Sequence, residues 1–422
     1  MIDGVNNSFF VLKDMKNKFA VGIDIGTTKV TVVIGQQGVE DEIPQIIGVG
    51  IASNSGMRKG VVIDVEETVA VLTKAVGDAE RMAGVNIDHA YLNVNGGHIS
   101  SANNKGVIAI SNQSEGIVEE DVNRVIETAQ AMSLPVNREV LHVVPRDFAV
   151  DGEGGIKNPI GMNGSRLEVD AHIIMGATPF IKNLVKCLSQ VGIGVSNTIF
   201  SPLAAAKSCL DKKQKELGVV LIDIGGGTTS LVVFEEGDVY HTAVFPVGAG
   251  HITSDMAIGL RTSLEVAERV KLDYGSALPL SLNDRDKVDL SKIDRSETEL
   301  VSRKYIAEII EARLNEIFGM VSAELRKIGR DGLLPAGAVL TGGGAKLPGI
   351  VEAAKDSLQM AASLGFPHQF SGMVDKLDSP QYTVATGLML WGLEDESSPG
   401  AFFDEKANPR DIIKKIISWF GH

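Results

Sequence analysis

Asp24 and Asp223 each end an apolar run and open a turn of glycine and threonine. The first run is Val21-Gly22-Ile23-Asp24-Ile25-Gly26-Thr27-Thr28. The second is Val220-Leu221-Ile222-Asp223-Ile224-Gly225-Gly226-Gly227-Thr228-Thr229. Glycine lets backbone N–H groups approach an anion closely, and threonine adds hydroxyl donors. A carboxylate would repel phosphate directly, but it can hold the water shell of Mg²⁺, which bridges the two charges. One such turn is ordinary hairpin chemistry. Two copies with the same aspartate suit two lobes that clamp one polyphosphate between them. A third glycine-rich run, LTGGGAKLPG at 340–349, follows a strand-like segment and precedes a helical one, the arrangement that presents donors to an anion. No GxxxxGK[ST] or GxGxxG pattern is present, so P-loop and dinucleotide-fold readings fail.

The elements that must carry these turns follow from periodicity. Strands are expected at 19–25, 30–35, 91–94, 107–110, 140–144, 167–175, 219–224, 230–234 and 338–340. Helices are expected at 64–84, 119–131, 180–191, 263–273, 303–328 and 382–392. Residues 88–177 read as a separate compact unit inserted in the first half. A chain of 422 residues needs more than one core. Its 54 acidic and 40 basic residues give a net charge of −14, which argues against nucleic acid as the main ligand. Cys187 and Cys209 form no metal or disulfide pattern and suit buried thiols in a reducing compartment. Residues 1–18 lack the apolar core of a signal peptide, and no window reaches the roughly 18 apolar residues that span a bilayer.

The final segment has a different pattern. Asn408 suits an N-cap and Pro409 a first helical residue. At about 100° per residue, Ile412, Ile413, Ile416, Ile417, Trp419 and Phe420 share an arc of about 160°, with Lys414 and Lys415 outside it. At about 1.5 Å per residue this helix is about 21 Å long, too short to cross a membrane. Its pattern suits a helix lying in the interface of an anionic membrane. The alternative is a helix docked on the protein's own body.

GIDIGTT, LIDIGGGTT and LTGGGAKLPG together resemble the two phosphate motifs and the adenosine motif of the actin, Hsp70 and sugar-kinase superfamily. The segment 263–275 (SLEVAERVKLDYG) is similar to the helix that borders the nucleoside there. Within the superfamily, 139–152 (EVLHVVPRDFAVDG) and 156–174 (IKNPIGMNGSRLEVDAHII) resemble the inserted subdomain of the bacterial cell-division family FtsA, and the likeness runs over nearly the whole chain.

The resemblance implies an α/β, actin-like (ribonuclease-H-like) two-lobe fold of four subdomains. These are 1A at 19–87 and 178–213, the inserted 1C at 88–177, 2A at 214–255 and 335–380, and 2B at 256–334. A return helix at 381–393, a linker at 394–408 and the membrane-targeting helix at 409–422 follow, and residues 1–18 form a mobile tail. ATP with Mg²⁺ is the implied cofactor. Asp24, Gly26, Thr27, Thr28, Lys29, Asp223, Gly225, Gly226, Gly227, Thr228, Thr229, Glu268, Lys271, Gly342, Gly343, Gly344, Ala345 and Lys346 would bind it, with Asp24 and Asp223 reaching Mg²⁺ through water. Residues 303–318 (RKYIAEIIEARLNEIF) resemble the helix near which the family receives the C-terminal peptide of the tubulin-like division protein FtsZ. Arg303 and Arg313 are the candidate peptide contacts, unless they pair with Glu308 and Glu311 instead.

The family further implies self-association into filaments, other division proteins bound through 88–177, and a place on the cytoplasmic face of the membrane at the division site. The segment 197–206 (NTIFSPLAAA) has no Gln, Glu or Asp to orient an attacking water, so any ATPase activity is expected to be slow. A kinase of the superfamily would need a catalytic carboxylate in such a segment. A chaperone would need a substrate domain after the lobes. The actin-like component of type IV pilus machinery shares the insertion and the cleft, and the terminal helix favours the division family over it.

Overall fold

The computed structural model describes residues 18–38, 41, 43–111, 116–131 and 135–395. The terminal helix expected at 409–422, with Ile412, Ile413, Lys414, Lys415, Ile416, Ile417, Trp419 and Phe420, lies outside the described residues.

The chain opens with the meander β1 (Lys18–Ile25), β2 (Lys29–Gln37) and β3 (Gln45–Ser53), followed by the small hairpin β4 (Met57–Arg58) and β5 (Val61–Val62). Helix α1 (Val65–Ala83) starts where the Asp64 carboxylate accepts the Glu67 N–H at 3.0 Å. It returns the chain to β6 (His89–Val94). The insertion holds β7 (Ser100–Ala109), α2 (Glu119–Gln130), β8 (Arg138–Val150), β9 (Glu153–Ile156) and β10 (Arg166–Ala177). The first lobe resumes with α3 (Thr178–Val191), β11 (Gly194–Phe200) and α4 (Ser201–Cys209).

The second lobe begins with α5 (Lys212–Leu217), β12 (Val219–Ile224), β13 (Thr229–Glu235) and β14 (Asp238–Phe245). Helices α6 (Ala249–Leu260) and α7 (Leu264–Tyr274), the pair β15 (Lys287–Asp289) and β16 (Leu300–Ser302), and α8 (Arg303–Lys327) form its upper part. β17 (Ala338–Thr341), α9 (Ile350–Leu358) and β18 (Ala362–Leu364) complete its sheet. Then β19 (Ser371–Gly372), α10 (Val374–Leu377) and α11 (Thr383–Glu394) cross back to the first lobe.

The repeated motif corresponds to a repeated topology. The first sheet runs β11-β6-β1-β2-β3-β19 and the second runs β14-β13-β12-β17-β18. In each, a central strand pairs antiparallel with the next strand and parallel with one from later in the chain: β1 with β2 and β6, β12 with β13 and β17. The order β3-β2-β1-β6-β11 in one lobe is therefore matched by β14-β13-β12-β17-β18 in the other. Asp24 and Asp223 occupy the same place, one residue before the end of the central strand.

Burial follows composition. α11 (TVATGLMLWGLE) is apolar almost all round, and it is buried against β1, β2 and α4. α8 buries Ile306, Ile310, Leu314, Phe318, Val321 and Leu325, a stripe at helical spacing that closes the second lobe's core. In the insertion, α2 covers one face of the sheet β7-β10-β8-β9 over Val125, Ile126, Phe148, Leu167 and Ile173. Cys187 and Cys209 are buried and unpaired.

Two boundaries differ from expectation. Strand β6 falls within the unit expected at 88–177, but it pairs with β1 and β11 in the first lobe's sheet, so the insertion's own sheet begins at Ser100. Strand β7 also starts seven residues before the expected 107. Its first half (SSANNK) is polar because Ser101 and Asn103 make side-chain hydrogen bonds, so hydropathy alone passed over it.

Candidate functional site: a cleft between paired aspartates

Each phosphate-type turn is closed by its own backbone. The Gly26 N–H donates to the Lys29 carbonyl at 2.9 Å, and the Gly225 N–H donates to the Thr228 carbonyl at 2.8 Å. The turns face each other. A Cβ added to Gly226 would lie 2.5 Å from Thr28 Cγ2, and one added to Gly227 would lie 2.7 Å from Thr27 Oγ1, so only glycine permits this approach. Gly342 has φ +85°, and a Cβ there would fall 2.3 Å from Asp223 Oδ1. The third glycine-rich run is thereby packed directly on the second aspartate.

A cavity beneath the turns is lined by Asp24, Gly26, Thr27, Thr28, Lys29, Asp223, Gly225, Gly226, Thr228, Gly342 and Gly343. A second cavity of about 430 Å³ adjoins it through Thr28, Lys29, Gly226 and Gly343, and its wall includes Glu268, Lys271, Leu272, Gly344, Lys346, Leu347 and Pro348. One end is lined by carboxylates and turn backbone, the other by leucine and proline with charged groups at the rim. That division suits an elongated ligand with an anionic end and a flatter, less polar end.

The electrostatics point to a cation. Burial, and then the charge of Asp223, push the Asp24 carboxyl up to about 7, while Lys29 pulls it back. Burial pushes Asp223 up to about 6. Burial also brings the Lys29 ammonium down to about 8; Asp24 opposes this and Lys346 adds to it. Lys29 Nζ hydrogen-bonds Gln381 Oε1 and stands 5.4 Å from the centre of the Tyr382 ring. Two carboxylates that resist ionising together would gain from a divalent ion. Among the described residues no group of three or more His, Cys, Asp and Glu could hold a metal alone. Two aspartates would suit Mg²⁺, a cation that usually keeps several waters and needs only one or two carboxylates from the protein.

Glu268 and Lys271 meet across one helical turn of α7. Lys271 Nζ lies 2.6 Å from Glu268 Oε2 and 2.7 Å from Thr253 Oγ1, and the lysine is buried. Lys271 is a buried part of the wall, while the Glu268 side chain beside it stays 43% exposed. Three assigned residues do not reach either cavity. Gly227 is turned toward Thr27 and Lys59 in the loop-to-loop contact. Thr229 is buried in β13, with its hydroxyl lacking a hydrogen-bond partner among the described residues. Ala345 packs in the second lobe's core.

Several cavity residues were not singled out from sequence. Asn93 and Asn95 alternate along β6 and its end, in YLNVNGG, and both line the first cavity. Asparagine is depleted in buried strands, so two at period two were a readable signal. Asn93 Oδ1 accepts the Ile25 N–H at 2.7 Å, and its Nδ2 donates to Ser201 Oγ at 3.3 Å. Ser201 is the member of the 197–206 segment that faces the cavity; the amides come from β6 beside it. Asn54 ties down the first turn, donating to the Gly26 carbonyl at 2.7 Å.

On α8, Arg303 Nε donates to the Tyr274 carbonyl at 3.0 Å. Arg313 makes two bonds to Asp255, at 2.7 and 2.9 Å, and also pairs with Glu316. The pairing considered with Glu308 and Glu311 is thus replaced by partners on α6, on the end of α7 and one turn along α8.

Two lobes of one topology that close on matched aspartates and glycine–threonine turns define an actin-like protein. Solved structures share the fold. A PilM–PilN type IV pilus biogenesis complex matches 89% of this chain and 98% of that chain, with TM-score 0.63 at 18% identity. MreB 5 of Spiroplasma citri bound to AMPPNP matches 89% and 96%, with TM-score 0.53 at 16% identity. The family model for cell division protein FtsA matches residues 220–387, and that for the SHS2 domain inserted in FtsA matches 96–175. The chain is 38% identical to cell division protein FtsA of Pseudomonas aeruginosa over 95% of this chain and 97% of the relative. It is also 38% identical to that of Bacillus subtilis over 95% and 89%. The chain belongs to the FtsA family of cell division proteins. These identities separate it from the pilus, kinase and chaperone alternatives. No helix among the described residues is long and apolar enough to cross a membrane.

Proposed function

We propose that this chain binds Mg-ATP in the cleft between its lobes, assembles into actin-like filaments, and tethers the FtsZ ring to the cytoplasmic face of the membrane at the division site. The observation that carries the nucleotide reading is the cleft itself: Asp24 and Asp223 share a cavity with both glycine–threonine turns, and both carboxyls are held above their ordinary range. Asp24 and Asp223 would hold Mg²⁺ through water. The turns at 26–29 and 225–228 would take the phosphates, and Glu268, Lys271 and 342–346 would take the nucleoside. When bound, Mg²⁺ would neutralise phosphate charge between the two aspartates. The bound AMPPNP named for MreB 5 supports the same use of this cleft. Ser201 stands in the connecting segment with no carboxylate beside it there, which fits slow turnover and control by occupancy.

The tether reading rests on family membership and on the amphipathic pattern of 409–422. Residues Ile412, Ile413, Ile416, Ile417, Trp419 and Phe420 would enter the interface, with Lys414 and Lys415 on anionic lipid. Arg303 and Arg313 mark the α8 surface for the FtsZ C-terminal peptide, and the insertion offers a surface to other division proteins. Co-pelleting with anionic liposomes in Mg-ATP tests this, using the full chain and a version ending at Ala407, each with FtsZ. The full chain should carry FtsZ into the pellet, and the shortened chain should leave both in solution. Equal lipid binding by the two would place the anchor elsewhere. If neither version brings FtsZ into the pellet, the tether reading falls.

A further inference from the structure

We propose that Asn95 and Ser230 form a positioning pair that sets the spacing of Asp24 and Asp223 across the cleft. The inference rests on the Mg-nucleotide reading above. In the first lobe, β1 and β6 run parallel with Ile23 opposite Leu92, so Asp24 is level with Asn93, and Asn95 stands just beyond the strand's end. In the second lobe, Asp223 and Ser230 are direct partners of the β12–β13 pair, so their side chains share a face. Asn95 Nδ2 donates to Ser230 Oγ at 3.0 Å. This bond joins the lobes one strand away from each aspartate.

Both members are held in place. Asn95 Oδ1 accepts the Gly96 N–H at 2.9 Å, which fixes the amide with its nitrogen toward Ser230. Ser230 is fully buried, and the Asn93 bond to the Ile25 N–H ties the floor of β6 to the residue after Asp24. The charge of Asp223 acts on Asp24 across the cleft, and the uncharged Asn95–Ser230 bond ties together the two strands that flank them. The pair acts through the spacing of the aspartates.

The test is binding of methylanthraniloyl-ATP to the full chain, titrated with MgCl₂ and repeated in EDTA. The proteins are wild type, Asn95→Ala, Ser230→Ala, the double variant and Ser230→Thr. Each alanine variant should raise the Mg²⁺ needed for half-maximal binding by about three- to tenfold, the loss expected from one buried hydrogen bond. The double variant should go no further than either single, because one bond is removed once. Ser230→Thr, which keeps the hydroxyl, should stay near wild type, and binding in EDTA should be unchanged by the Ser230 substitutions, which lie outside the cavity wall. An unaltered Mg²⁺ requirement, additive losses, or an equal loss in EDTA for Ser230→Ala would each overturn the pair while leaving the nucleotide reading standing. Absence of binding by wild type at any Mg²⁺ level would overturn both.

Discussion

Asp24 and Asp223 give the cleft a pH response whose sign can be worked out. Both carboxyls titrate higher in the folded chain, at about 7 and about 6, than the ordinary 3.8. The folded chain without nucleotide therefore holds these protons more tightly than the unfolded chain, and their contribution to stability grows as pH falls through that window. Mg²⁺ needs the ionised forms. Its support of ATP binding should strengthen between about pH 5.5 and about pH 8, and the rise in melting temperature given by Mg-ATP should shrink on acidification. Histidines move the other way. Burial brings His98 and His142 down to about 4 and His172 to about 3. His142 Nε2 accepts the Phe200 N–H at 3.0 Å and can do so only when neutral. Stability from these rings is complete above about pH 6.5 and is lost as pH falls toward 4. His142→Gln should flatten that loss in thermal melts from about pH 7 to about pH 5. A third change tests the close approach of the adenosine-type run: Gly342→Ala places a Cβ against Asp223 at a positive φ. It should lower Mg-ATP affinity by about tenfold or more in a fluorescence titration.

At the level of elements, the long amphipathic helix α8 holds the upper part of the second lobe through Leu314 and Phe318. Phe318→Ala should cost about 3–5 kcal/mol in urea unfolding, with the residual cavity setting where in that range it falls. This helix was readable from its stripe, as were β1, β2, β12 and β13 from apolar runs ending in glycine turns. Helix α6 was not. Its sequence AGHITSDMAIGL has no side-chain N-cap, and its start is fixed by tertiary bonds from Ala249 N–H to the Gly225 carbonyl at 2.9 Å and from Gly250 N–H to the Gly226 carbonyl at 2.8 Å. The same distinction holds in the cleft. Aspartates, glycines and threonines announce phosphate chemistry by type and spacing. Gln381 and Ser201 reach the cavity, and Asn54 reaches the first turn, only because distant segments fold together, and nothing local marks them.

Across the whole molecule, the insertion attached to the first lobe is also fastened to the second. Ser101 Oγ donates to the Thr242 carbonyl at 3.0 Å, and His172 bridges Asn103 Oδ1 at 2.6 Å and Thr242 Oγ1 at 2.9 Å. Arg146 and Arg330 each pack on the Tyr240 ring, at 4.5 and 4.7 Å. The insertion thereby covers β14, the edge of the second sheet, which would otherwise be a strand edge open to pairing. Thr242→Val should leave a buried histidine nitrogen unpaired at a cost of about 1–3 kcal/mol. Faster amide exchange in β7 and β10 should report it.

The matched strand orders have one more consequence. Like turn meets like turn, Thr27 and Thr28 against Gly227 and Gly226, so an approximate dyad passes between Asp24 and Asp223. A cleft with a true dyad would accept a rod-shaped anion equally well in either direction. Here the degeneracy is lifted in two places. Lys29, one residue before the strand position opposite Ile25, takes the place that Thr228 holds in the other lobe, so at this matched position only the first lobe carries a cation. The roomier wall of Leu272, Leu347 and Pro348 is likewise built by the second lobe alone. A duplicated scaffold would thus give a bound ligand a head and a tail.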